Sequence, residues 1–252
     1  MTRVLGFWAV AILGAAPLAC SSEALTSDGG AGSGNDGTAG SMHMSSGCSA
    51  ALKQQLALVD EVSTAAVTIL DESAGERSLY IDASAGGIDG AQKHPWVYLS
   101  LETGQAVPLT DLEALDSTDW DLAFKRTMVR TNSGDSGPGV GGAIRVGLAW
   151  DKVSRTTLGG QTLPIEDWFD DMCMIGLDST NNVITSFSSW SEYDPATHIV
   201  NAAPDVVYIT GGADGALYKV QIEDYYSTPT GSHGTDPAKY AGHYRLRTAP
   251  LP

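Results

Sequence analysis

The chain has 252 residues, with 14 Lys and Arg against 30 Asp and Glu, giving a formal net charge of −16. Less a leader and a linker, that length holds one ordinary domain and hardly two. The cation deficit excludes a nucleic-acid binder and a protein that clings to an anionic bilayer through its own surface charge, since both need clustered Lys and Arg.

Residues 1–19 have the anatomy of an export signal, in which Arg3 precedes an uncharged run from Val4 to Ala19. The run is too short and too rich in small residues to span a bilayer. It ends in Pro17-Leu18-Ala19-Cys20-Ser21-Ser22, which resembles a bacterial lipoprotein processing site. Cys20 is therefore the expected acylated residue and new N-terminus, carrying palmitate and holding the chain outside the cytoplasm. The resemblance implies an outer-membrane or cell-surface lipoprotein, with the periplasmic face as the other placement. Pro17 departs from the branched aliphatic residue usual at its place.

Residues 20–47 turn to Gly, Ser, Asp and Thr with almost no large apolar side chain. Such a stretch buries too little surface to order itself and reads as a disordered tether. Met42-His43-Met44 within it supplies metal-ligand types, but a lone cluster on a linker reads as incidental.

From Cys48 a domain running to residue 252 is expected. Leu52, Leu56, Leu58 and Val59 give a short helical signal that the β-branched run from Val62 to Ile69 breaks. Period-two alternation then takes over: Leu79-Ala83, Trp96-Leu101, Val107-Leu112, Trp120-Phe124, Met128-Arg130, Ala143-Val146, Val183-Phe187, Val206-Thr210, Leu217-Ile222 and Tyr244-Arg247. Short alternating runs between Gly, Asp, Asn and Pro clusters describe antiparallel strands and hairpins. Ala213-Asp214-Gly215 is the turn expected between two of the strongest. The fold class is all-β, mostly antiparallel, in a single domain.

Several motifs look like chemistry and lack its remaining parts. Gly134-Asp135-Ser136-Gly137-Pro138 resembles the nucleophile loop of chymotrypsin-like proteases, yet no histidine stands upstream in the setting that family requires. Gly137, Gly139 and Gly142 have the G-x-G-x-x-G spacing of dinucleotide sites, but a strand pattern follows where a helix is needed. The five histidines show no zinc-site spacing. The acidic turn Glu166, Asp167, Asp170 and Asp171 is not spaced as a calcium loop and reads as a solvated loop. Met172-Cys173-Met174 would place two thioethers on one side of a strand, suited to an iron porphyrin or Cu(I), or else two core methionines beside a cysteine. Once Cys20 is given to lipid, Cys48 and Cys173 remain as an even pair in an oxidising compartment, bonded or free. No catalytic constellation emerges, and an enzyme is not expected.

Taken together, Leu79-Ser84, Trp96-Leu101, Thr118-Phe124, Val129-Gly137 with Gly141-Ala143, and Gly212-Gly215 through Tyr225 resemble the HmuY family of bacterial surface haem-binding lipoproteins. The resemblance implies an all-β protein that captures haem without catalysis and passes it to an outer-membrane uptake receptor. It also implies two side-chain ligands to the iron, histidines or methionines, from two hairpins. The first hairpin falls between Thr157 and Met172, shortened and without histidine; the second follows Trp190. No ligand transfers residue by residue. The candidates by location are His198, with Met172 or Met174 as the second ligand. The alternative is a HmuY-like scaffold without haem ligands, acting as a surface interaction or structural module.

Overall fold

The computed structural model describes residues 48–179 and 181–252. The expected signal segment, Cys20 and the tether lie outside them. Among the described residues, no helix is long and apolar enough to cross a membrane.

The described part begins with helix α1 (Ser49–Gln55), which buries Leu52. Among the described residues twelve strands follow, all paired antiparallel. A six-stranded sheet joins β1 (Val67–Ser73), β2 (Glu76–Asp82), β12 (His243–Pro250), β11 (Leu217–Asp224), β10 (Val207–Gly211) and β7 (Gly142–Val146) in that spatial order. A four-stranded sheet runs β4 (Gln105–Ala106), β3 (Val97–Ser100), β5 (Leu122–Lys125), β6 (Met128–Thr131), and β8 (Ser191–Asp194) pairs with β9 (Ile199–Ala202) as a separate hairpin. The expected all-β antiparallel fold is thus present.

Period-two alternation decides which face each strand buries. In β11, Tyr218, Val220 and Ile222 point inward, while in β12 Tyr244 and Leu246 do so. They meet Val97, Leu99, Leu122, Phe124 and Val129 from the four-stranded sheet in one core. A second cluster lies on the outer face of that sheet, where Leu52, Leu56, Trp96, Tyr98, Trp120, Trp168 and Val183 pack together. Strand β10 is buried on both faces, because Val153 and Leu251 cover Val207 and Ile209. The turn between β10 and β11 has only Gly215 in the left-handed region, so Asp214 keeps an ordinary negative φ. A type I turn with a glycine bulge replaces the two-residue Asp-Gly turn that the sequence suggested.

Cys48 and Cys173 form a disulfide. It fastens the start of α1 to the segment that covers the second cluster. Three expected strands are absent. Val107-Leu112 leads into a one-turn helix at Glu113–Leu115, and Val183-Phe187 is a turn closed by Ser188 N–H donating to the Thr185 carbonyl. Around Met172-Cys173-Met174 the chain folds over Asp170, whose Oδ1 accepts the backbone N–H of Met172 and of Met174. Cys173 takes φ +58 there, so the two thioethers do not share one face of a strand. Residues 157–172 form no hairpin, although Phe169 bridges Ile175 just beyond.

Candidate functional site

The glycine loop that resembled two catalytic motifs is scaffold. Ser136 is fully buried, and both its carbonyl and its hydroxyl accept from Arg130 Nη1, at 2.6 and 2.7 Å. The Arg130 guanidinium lies 4.7 Å from the Trp96 ring centre and 4.8 Å from that of Trp120, while Nη2 donates to Tyr98 Oη at 3.0 Å. Tyr98 Oη in turn donates to Asp111 Oδ1 at 3.0 Å. Gly134 has φ +52, and a Cβ there would collide with the Glu166 carbonyl. Glycine therefore stands where a side chain has neither the backbone angle nor the room.

Glu166 belongs to the same scaffold rather than to a solvated loop. Its buried carboxyl accepts from Thr131 N–H and hydroxyl, from Trp168 Nε1 and from Ser186 N–H. Desolvation raises its pKa against those hydrogen bonds. The contact fixes residues 185–188 against β6.

That turn forms one wall of a hollow of about 450 Å3, within the range of small-ligand sites. Thr127 and Met128 line a second wall, Asp178, Asn182 and Val183 a third, and the β8–β9 hairpin contributes Ser191, Tyr193 and Val200. Trp190 and Phe187 complete the lining. The Trp190 ring centre lies 5.5 Å from that of Tyr225 and 5.4 Å from that of Tyr244, and its Nε1 donates to the Thr127 carbonyl at 2.9 Å. Phe187 stacks 4.3 Å from Tyr208. Val200 N–H donates to Tyr226 Oη at 3.0 Å, tying the hairpin to the core. Ile88, at the rim, is 82% exposed.

Two other hollows differ in chemistry. One of about 570 Å3 presents Glu61, Asp82 and His94 beside small residues and backbone, with Val62, Val97 and Phe124 among its apolar side chains. The other, about 440 Å3, lies beside Trp168, Phe169, Met174 and Ile175. Among the described residues, no group of three or more His, Cys, Asp and Glu is placed to hold a metal ion.

The expected ligands are dispersed. Met172 is 78% and Met174 64% exposed, and neither lines the hollow that Trp190 floors. His198 sits at the end of the β8–β9 turn with φ +61, where Tyr193 Oη lies 2.6 Å from its Nδ1. The thioether that does line the hollow is Met128, and the phenol is Tyr193. Sequence reading missed both. Little in the sequence pointed to them, because β8 has no apolar alternation and Met128 reads as an ordinary strand residue.

Fold and hollow describe an antiparallel β protein in which buried aromatics support a partly apolar cleft. A family model described as HmuY protein matches residues 92–240, and the chain belongs to the HmuY family. Membership supports a binding role of the haem type. No curated protein matches the chain. It is similar in structure to the apo HmuY analog of Tannerella forsythia, with 18% identity, 77% of this chain and 100% of that one covered, and a TM-score of 0.39. A Bacteroides vulgatus protein described as a candidate HmuY-like heme binding protein has 18% identity, 73% and 96% coverage and a TM-score of 0.41. For a Bacteroides fragilis protein described as a candidate lipoprotein, the corresponding values are 16%, 72% and 94%, and 0.42.

Proposed function

We propose that this chain is a non-catalytic haem-binding protein, exported, held at the outer membrane or cell surface by a lipid on Cys20, and passing haem to an uptake receptor. The observation that carries the binding reading is the hollow over Trp190 in a chain of the HmuY family. Its residues fit the group: Met128, Val183, Phe187, Trp190 and Val200 supply apolar walls, and Met128 and Tyr193 supply donor types that haem iron accepts. Bound haem would supply a Lewis-acidic iron that such donors could hold. The chain's own part is to exclude water from one porphyrin face and to fix its orientation.

Titration of the full chain with haemin tests the reading. A saturable Soret shift at micromolar protein is expected, and Val200→Asp, which sets a charge in the wall, should abolish it while the near-ultraviolet circular dichroism stays intact. No saturable shift in the native chain would sink the proposal. That result would instead favour a surface interaction module, a reading supported by the absence of any histidine from the lining of the hollow. Lipid attachment is tested separately: palmitate label should be lost in Cys20→Ser, and retained label would refute it.

A further inference from the structure

The disulfide gathers the methionines. Of the six in the chain, Met42 and Met44 precede Cys48 by six and four residues, and Met172 and Met174 flank Cys173. The bond sets the two cysteine Cα atoms 5.2 Å apart across a separation of 125 residues. Four of the five methionines after Met1 are thus attached to the chain beside one covalent link. Residues 42–44 lie outside the described residues, but four residues of chain reach at most about 14 Å, so connectivity alone keeps Met44 near Cys48 and hence near Cys173. Met42-His43-Met44 is a lone cluster in the sequence; across this bond it has two more thioethers within reach.

The described pair is held in a way that packing does not require. Asp170 Oδ1 accepts the N–H of Met172 at 2.9 Å and of Met174 at 2.8 Å. The Asp170 carbonyl accepts Cys173 N–H at 2.9 Å, and Asp170 N–H donates to the Met174 carbonyl at 3.0 Å. The turn fixed by these bonds carries both methionines outward, 78% and 64% exposed. Methionine ordinarily serves a protein by filling gaps in its core, and these two thioethers do nothing of that kind. Asp167, Asp170 and Asp171 stand in the same segment, and the sequence has no Lys or Arg between Arg155 and Lys219, so a cation arrives there with the local field.

We propose that Met172 and Met174, together with Met42 and Met44, form a site for the soft monovalent ion Cu(I), closed by the Cys48–Cys173 bond. Thioether sulfur is a soft, uncharged donor that selects Cu(I) over harder divalent ions. Each Met-X-Met segment alone supplies two sulfurs; the two segments together supply four. Joining them through one short connection makes engagement of the second pair intramolecular, at an effective concentration of the order of millimolar, and raises affinity by about 10²–10⁴-fold. No protein bond breaks and no oxidation state changes, because the ion exchanges its carrier ligands for sulfur. The site lies apart from the Trp190 hollow, which neither Met172 nor Met174 lines, and it does not depend on the haem-binding reading.

The test is anaerobic titration of the full chain with Cu(I), supplied as its acetonitrile complex in competition with bicinchoninate, in a Cys20→Ser background so that no thiol competes. One equivalent should pass to the protein, with sulfur as its neighbour in the copper X-ray absorption spectrum. Met172→Leu with Met174→Leu, and separately Met42→Leu with Met44→Leu, should each weaken binding about a hundredfold, the low end of the gain from joining two pairs. Circular dichroism should be unchanged in the first of these variants, because both side chains are exposed. Cys48→Ser with Cys173→Ser should weaken binding as well, although every thioether remains. Copper left wholly with bicinchoninate overturns the inference, as does an affinity unchanged in either methionine-pair variant. An affinity unchanged without the disulfide overturns the claim that the bond closes the site.

Discussion

At the level of single residues, the cations inside the molecule are the least ordinary feature. Lys125 is buried, donating from Nζ to the Ala57 carbonyl at 2.9 Å, close to the Trp96 ring and within the influence of Asp111 and Arg130. Desolvation pushes its ammonium down to about 8. The unfolded chain takes up this proton near the ordinary lysine value, whereas the folded chain waits until about pH 8. Stability therefore falls as pH drops through that interval and is level below it. Buried tyrosines such as Tyr98 and Tyr225 are shifted upward by desolvation, which costs stability only where the unfolded phenol ionises first, above about pH 10. The interval below the phenols is therefore about pH 8 to 10, where Lys125 is joined by Lys219, whose pKa desolvation also lowers. Unfolding free energies from urea titration should rise across it by part of about 3 kcal/mol, because a tenfold change in proton affinity corresponds to about 1.4 kcal/mol. Lys125→Met should flatten the slope. A slope that survives in Lys125→Met would assign it to other groups.

Among the elements, the cover of the outer cluster and the walls of the hollow depend on a covalent tie. The Cys48–Cys173 bond spans 125 residues, a long loop whose closure restricts the unfolded chain. Replacing both cysteines by serine should cost about 2–4 kcal/mol in denaturant unfolding. Hydrogen exchange should quicken first in α1 and residues 166–183, leaving β10, β11 and β12 protected. Uniform acceleration across all of them would show that the bond acts only through the unfolded state.

How legible each element was in the sequence follows from what holds it. Strands β2, β11 and β12 alternate because one face of each meets the core, and their order of apolar residues is enough to find them. β8 consists of Ser, Glu, Tyr and Asp with no apolar alternation; pairing with β9 makes it a strand. Met172-Cys173-Met174 had strand periodicity but is folded by the Asp170 carboxylate and the disulfide. Trp190 was visible as a match to the family, whereas Met128 and Tyr193 acquire meaning only when β6 and the β8–β9 hairpin come to opposite sides of one hollow.

For the molecule as a whole, the excess of acidic side chains decides what the outside sees. Two basic residues, Lys125 and Arg130, and five acidic ones, Asp111, Asp121, Asp135, Glu166 and Asp224, are buried; with 30 acidic residues against 14 basic in the chain, the exterior potential is still negative. The ionisable residues lining the hollow are Asp178 and Tyr193, with no Lys or Arg among them to draw in an anion. Under the proposed haem-binding role, haem, with its two propionate carboxylates, approaches against this field. Its capture should then speed up as salt is added, the reverse of electrostatic steering, with most of the gain by about 0.1 M, where the screening length is about 10 Å. Stopped-flow association rates at rising ionic strength would measure this, and rates that fall with salt would point to a cationic entrance. The acidic excess thus has a kinetic consequence: the same field that would slow an anionic ligand on its way to the hollow also keeps copies of the molecule apart.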